Sequence, residues 1–389
     1  MKGNTKLKKR GNKNLRIAMI GHKVVPSRRG GIERVLTIMC PLMIKKGHQV
    51  TCFNRSGDKV ENEYVKTVKR KKYRGVQLKK VITINKRGLA AMTSSFSAAI
   101  CAAFGKYDIV HFHSISPAFI PICHTAKSLG ISVVITPMFG SRKLSDNKLK
   151  MINLLSNLPY MFVDYKSMRE LISSATHLVT LTQFEKDRFA RFFNFASNNI
   201  SIIGNGIDES FFSQPCSNVE IPLENYILMV GRIEHNKNQE SIIKIAKKEK
   251  YNLLIVGETG RGSESYTQNC KKIAEGSETI FFWGAEKDRE VMKAIYQKAK
   301  MTVIPSFSEM YPLVALESLS QNTAVLCTDR CGLYPKTMDG LFYTSPEYKI
   351  LEKKITEVYD KVEIPITKKI DSWLDIADQH ITLYESILA

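Results

Sequence analysis

Residues Ile304 to Ser318 read IPSFSEMYPLVALES and set two carboxylates, Glu309 and Glu317, eight positions apart. The run MTVIPS, which leads into them, is short, apolar and β-branched and ends in proline, as a buried strand does. VALESLS continues with helical spacing. Pro312 is expected in the first turn of that helix, where a missing N–H costs nothing. Glu309 then lies in the loop and Glu317 on the helix. A helix start carries unpaired N–H groups and partial positive charge, so it favours a phosphate, and a carboxylate beside it accepts hydrogen bonds from hydroxyls. A phosphate between hydroxyl-bearing groups is the shape of a nucleotide sugar. Two glutamates at this spacing also occur on solvated surfaces, and the junction alone does not choose between the readings.

The rest of the chain repeats this strand-then-helix grammar. RIAMIG, QVTCF, VQLKKVITI, DIVHFHS, SVVITP, HLVTLT and NISIIG are candidate strands with helical stretches between several of them. A second series, YILMVG, NLLIVG, TIFFWG, MTVIPS and TAVLCTD, does the same. The fold class is therefore α/β, with two Rossmann-like domains of largely parallel sheet. Residues 1–13 form a basic tail, 14–208 the first domain, 209–224 a hinge with proline and polar punctuation, and 225–365 the second domain. Residues 366–389 are a closing helix. A length of 389 residues and 43% hydrophobic content suffice for two buried cores.

Rival nucleotide folds fail on their loops. G-x-G-x-x-G is absent after the first strand, where the chain has GHKVVPSRRGG, and GETGRG after NLLIV orders its glycines differently; G-x-x-x-x-G-K-[ST] is missing too. Eight scattered cysteines without a C-x-x-C pair read as reduced thiols of a cytosolic protein, and no metal site is expected from them. Charge is the anomaly. Lys and Arg number 58 against 37 acids, for a net +21, which favours an anionic partner. KLKKRGNKN and the run Lys66 to Gly75 contribute, although solvated loops would also carry such charge. A membrane surface suits it better than nucleic acid, for which no recognition module is found. Leu89 to Gly105 is too short and too polar to span a bilayer and reads as a buried helix, whereas Leu149 to Met168 fits either a core helix or one lying flat on a membrane.

With these residues in view, the chain resembles the retaining glycosyltransferases of family 4, whose hallmark is a Glu, seven residues, Glu motif in the two-domain GT-B fold. NLRIAMIGHKVVPSRRGGIERVLTIMCPLMIKKGHQVTCF is similar to that family's opening. HLVTLTQFEKDRFARF with NISIIGNGID resembles the close of its first domain, YILMVGRIEHNKNQESIIKIA the start of its second, and SWLDIADQHITLYESIL its last helix, which packs back toward the first domain. The blocks keep the family's order from about Asn14 to the end of the chain.

The resemblance implies roles. Arg232 and Lys237 in GRIEHNK would offset a pyrophosphate and stabilise it as a leaving group, and Gly30 and Gly31 would bring backbone N–H groups to the donor from the opposite domain. Glu309 would touch the transferred sugar and Glu317 the ribose. Leu313 and Val314 would donate N–H groups to phosphate, and Gly284 and Ala285 would line the base pocket. Asn205 and Gly206 read as a structural turn. Two departures stand out. Met310 and Pro312 replace glycines after the first glutamate, and Met138 in VITPMFG stands where many members place a histidine. His111 or His113 could face the cleft instead, with His113 the candidate catalytic group; a buried structural histidine fits either. The implied reaction is retaining transfer from a nucleoside diphosphate sugar, without metal or cofactor, to a glycan or lipid-linked acceptor in bacterial surface polysaccharide synthesis at the inner face of the membrane. The alternative is a catalytically silent protein of this fold that binds nucleotide sugar or polysaccharide.

Overall fold

The computed structural model describes residues 14–27, 30–57, 60, 62–69, 71–86, 89–114, 120–137, 165–215, 219–333, 338–361 and 370–389. Two sheets form from the expected apolar runs. The first contains β1 (Arg16–Ile20), β2 (Gln49–Arg55), β3 (Val68–Lys69), β4 (Lys72–Tyr73), β5 (Val76–Val81), β6 (Ile109–Phe112), β7 (Ser132–Ile135), β8 (His177–Thr180) and β9 (Ile200–Ile202), in the order β3-β4-β5-β2-β1-β6-β7-β8-β9. All its pairings are parallel except those of β4 with β3 and β5. The second contains β10 (Ile227–Val230), β11 (Leu253–Val256), β12 (Ile280–Gly284), β13 (Met301–Ile304), β14 (Val325–Thr328) and β15 (Leu341–Thr344), in the order β12-β11-β10-β13-β14-β15 and parallel throughout. Central strands such as β6, β11 and β13 are buried along their whole length, which is why they show no alternation of apolar and polar residues, and β11 reads as an unbroken apolar run.

Helices cover the sheets: α1 (Gly31–Lys45), α2 (Asn62–Val65), α3 (Leu89–Ala103), α4 (Ile120–Ser128), α5 (Tyr165–Ser174) and α6 (Gln183–Phe193) in the first domain, then α7 (Gln239–Glu249), α8 (Glu264–Ala274), α9 (Arg289–Lys298), α10 (Leu313–Ser320) and α11 (Tyr348–Tyr359) in the second. In each sheet the strand order reverses beside its first strand: β1 lies between β2 and β6, and β10 between β11 and β13. Loops leaving the two central strands therefore diverge and open a crevice at the sheet's carboxyl edge.

The chain crosses between domains twice, and the crossings are joined. Ile207 N donates to Asp371 O at 3.0 Å and Trp373 N to Ile207 O at 3.0 Å. Gly206 makes this possible, since a Cβ there would sit 2.5 Å from the Ser372 backbone. The closing helix α12 (Trp373–Leu388) starts in a capping box formed by Ser372 and Asp375. Its Trp373, Ile376, Ala377 and Tyr384 share one core with Leu36, Met39 and Met43 of α1, so the last helix belongs to the first domain's packing.

A group of histidines lies under that helix. His111 and His113, two apart on β6 and just beyond it, point the same way by strand alternation and stack with ring centroids 4.1 Å apart. The Tyr384 hydroxyl sits 2.6 Å from His111 Nδ1, Thr136 Oγ1 is 2.7 Å from Nε2, and the His380 ring is 5.6 Å away.

Some expectations need correction. Of the stretch Leu89 to Gly105, Leu89–Ala103 is helical, but only one face of α3 is buried, the one that carries its small serines and alanines. Pro312 is the N-cap of α10 rather than part of its first turn. The strand expected through VITI stops at Val81, and the short β3, β4 and β15 were not anticipated. Residues 149–164, Met138 and the tail 1–13 lie outside the described residues. The described cysteines are all free, and each except Cys101 is buried.

Burial holds His111 and His113 neutral with pKa well below the usual histidine value, and lowers His22 and His380 to about 4. The unfolded chain takes up these protons near pH 6.5, so it binds more protons than the folded chain between roughly pH 4 and 6.5, and stability must fall as the pH drops through that window. Thermal melting at pH 7 and pH 5 should show the loss, about 2 kcal/mol at pH 5 for each of His22 and His380. His380→Leu should flatten the dependence by that amount, and an unchanged slope would contradict the assignment.

Candidate functional site

The crevice of the second sheet is built by two loops that are stitched together. After β10 the chain passes through Gly231 to Lys237; after β13 it passes through Pro305 to Pro312. Phe307 N donates to Asn236 O at 2.8 Å, Asn236 Nδ2 to Ser308 O at 3.0 Å, and Asn238 Nδ2 to Pro305 O at 3.3 Å. The His235 ring stacks on Phe307 at 5.4 Å. Within this frame Lys237 Nζ contacts Glu309 Oε1, which also accepts from Ser306 Oγ at 3.0 Å. The Glu309 backbone is clamped from the other side: its N donates to Arg330 O at 3.2 Å and its O accepts from Gly332 N at 2.9 Å. A Cβ on Gly332 would collide with Met310 O, so the glycine is what lets the loop come this close.

Helix α10 starts at Leu313, and its first N–H groups, including those of Leu313 and Val314, lack the partners that a preceding turn would supply. One turn on, Glu317 is held at both oxygens. Oε2 accepts from the Tyr296 hydroxyl at 2.9 Å, and Oε1 lies 3.1 Å from Nη2 of Arg34, which reaches across from α1. Burial, reinforced by the Glu317 carboxylate, pushes the Tyr296 hydroxyl pKa well up, so it stays protonated and donates. Leu313 packs against both domains' cores and closes the base of the cleft.

The first domain faces this site with its own reversal point, between β1 and β6. Gly30 caps α1 at φ 112°, a conformation that suits glycine, and Gly31 opens onto free space. The Glu33 carboxylate folds back under Gly30 and accepts from Lys23 N at 2.8 Å. An anion already occupies the positive end of α1, so this wall suits sugar hydroxyls better than a second phosphate.

The structure thus gathers Arg232, Lys237, Glu309, Leu313, Val314 and Glu317 at one reversal point, with Gly30 and Gly31 at the other. Arg232 is exposed and pairs with Glu234 at 3.3 Å. Gly284 ends β12 and Ala285 follows it, on the same edge but two strands away from β10; Gly257 N donates to Gly284 O at 2.7 Å. Of the two readings open for His113, the packing fits the buried structural one. It is 2% exposed, its Nε2 lies 3.3 Å from Met19 Sδ and its ring is stacked on His111, so it faces the core beneath α12 rather than the cleft. A role at a reacting carbon would require it to leave that packing. Sequence reading missed Arg34, Glu33, Ser306 and Tyr296. Glu33, an acid in a first helical turn, was visible in principle; the partners of Glu317 come from 283 and 21 residues away and carry no local signal.

Comparison with known proteins agrees with this geometry. The model for glycosyltransferase family 4 matches residues 29–211, and that for group 1 glycosyl transferases matches residues 217–363. The O-antigen chain mannosyltransferase RfbU of Salmonella typhimurium is 27% identical over 248 residues, covering 58% of this chain and 67% of that protein. Among solved structures, sucrose-phosphate synthase of Thermosynechococcus elongatus superposes with a TM-score of 0.70 at 17% identity, covering 96% of this chain and 99% of that one. HepE of Anabaena in complex with UDP gives 0.64 at 12% identity, covering 96% and 97%. The paired parallel sheets with a cleft between them are the GT-B fold. The chain belongs to glycosyltransferase family 4.

Proposed function

We propose that this protein transfers a sugar, with retention of configuration, from a nucleoside diphosphate sugar to a glycan or lipid-linked acceptor in bacterial cell-surface polysaccharide synthesis. The observation that carries the reading is the pair of glutamates on either side of a helix start, one held by Lys237 and Ser306 and the other by Tyr296 and Arg34. That spacing suits a ligand with hydroxyls at both ends and phosphate between them. The names of the relatives support the class: RfbU is an O-antigen chain mannosyltransferase, and HepE was crystallised with UDP.

In this reading Glu317 takes the ribose hydroxyls, while Arg232, Lys237 and the N–H groups of Leu313 and Val314 take the pyrophosphate. Gly284 and Ala285 border the base, and Glu309 takes the transferred sugar against Gly30 and Gly31. The bond from the anomeric carbon to the phosphate oxygen breaks, and the acceptor oxygen bonds to that carbon on the same face. The acceptor proton passes to the departing phosphate oxygen, so no protein base is needed. Cations and helix N–H groups carry the developing charge in place of a metal, and closure of the domains excludes water.

Purified protein incubated with UDP-, GDP-, ADP- and dTDP-sugars should release nucleoside diphosphate from one of them, and Glu309→Ala or Arg232→Ala should cut the rate by about a hundredfold or more. A chelator should leave it unchanged, and a chelator-dependent rate would remove the metal-free part. Tight donor binding without release, even with membrane lipid extract as acceptor source, would point to the silent binding protein. Tyr296→Phe keeps the packing but drops one hydrogen bond to a carboxylate, so the donor KM should rise about tenfold with little change in kcat. His113→Ala tests the packed histidine: a loss of transfer with the fold intact would return it to the reaction.

A further inference from the structure

Helix α3 is built inside out. Its buried face carries Ser94, Ser95, Ala98, Ala99, Ala102 and Ala103, while its exposed face carries Leu89, Met92, Phe96, Ile100 and, just past its end, Phe104. The outward residues recur at intervals of three and four, which places them in one stripe. A helix facing water has the opposite arrangement, with its large apolar residues inward. Phe96 is 47% and Phe104 75% exposed. The loop before the helix widens the patch: Ile82 N donates to Ser97 Oγ at 3.2 Å and Ile84 N to Thr93 Oγ1 at 3.0 Å, which lays both isoleucines alongside the stripe, Ile82 at 77% exposure. An apolar surface this continuous marks a face that something covers.

Charge says what covers it. Between Val65 and Tyr107 the chain has no Asp or Glu and 11 Lys and Arg. Lys79, Lys86 and Lys106 are exposed around the patch, Lys79 on the α3 side of β5 with its ammonium 3.4 Å from the Tyr107 hydroxyl, Lys86 just before α3 and Lys106 just after Phe104. An apolar stripe rimmed by cations fits an interface with hydrocarbon below and anionic headgroups beside it. A second copy of this chain would bring the same cations against these. We propose that the α3 face docks on an anionic lipid bilayer, with the stripe at the headgroup boundary and the lysines on lipid phosphates. The inference deepens the membrane part of the reading above and does not depend on its donor chemistry.

The test is flotation of the full chain with vesicles of equal parts phosphatidylglycerol and phosphatidylcholine, against vesicles of phosphatidylcholine alone. Wild type should float with the acidic vesicles and not the neutral ones, and molar salt should weaken the association. Phe96→Glu with Phe104→Glu should reduce partition by about tenfold or more, and Lys79→Gln with Lys106→Gln should reduce it less. Circular dichroism and melting confirm that each variant folds; nucleotide release without vesicles should stay at the wild-type rate, which separates a failure of docking from a failure of the enzymatic reading. No flotation of wild type, equal flotation on neutral vesicles, or undiminished flotation of a folded double-Glu variant would overturn the proposal. So would a concentration-dependent wild-type dimer that the double-Glu variant abolishes.

Discussion

The contact between Lys237 and Glu309 ties together the two loops that leave the second sheet at its reversal point, and the geometry of the cleft depends on it. Without it the β13 loop would carry an anion into a pocket proposed to hold a pyrophosphate. With it, the site is close to neutral locally, and an arriving phosphate can take Lys237 while the sugar hydroxyls take Glu309. The exchange replaces one charge-assisted contact by two, which makes the site most favourable when the whole donor is present.

The domains meet through few but specific devices. The paired crossings at Ile207 and Ser372 give them a common pivot, and Gly206 lets the strands touch. Tyr311, two residues after Glu309 in the same loop, packs where a Cβ on Gly204 would be 2.6 Å from its hydroxyl, so pivot and site loop are mechanically continuous. Arg34 on Glu317 spans the cleft above them. A motion of one domain is thereby felt at both glutamates.

Much of this was legible in the chain. The strand runs and the EMYP junction named both sheets and the reversal-point residues, because buried parallel strands and helix starts leave local patterns. Two parts were missed and one was left open. Tyr296 and Arg34 orient Glu317 from distant elements, which no window of sequence contains. His113, open in the sequence between cleft and core, packs on Met19 because strand alternation fixes its face, and which face meets the cleft is set only by the assembled layers. The helix α3 was read by its mean apolarity, which hides the direction of its stripe: small residues in, large residues out.

The central claim is that the two glutamates grip the two ends of one donor. Calorimetric titration of the donor and of its free nucleoside diphosphate into wild type, Glu317→Ala and Glu309→Ala tests it most directly. Glu317→Ala should weaken both ligands alike, whereas Glu309→Ala should leave the nucleotide nearly unchanged and remove the extra affinity for the sugar. Equal effects of both substitutions on the free nucleotide, or none from either, would contradict it.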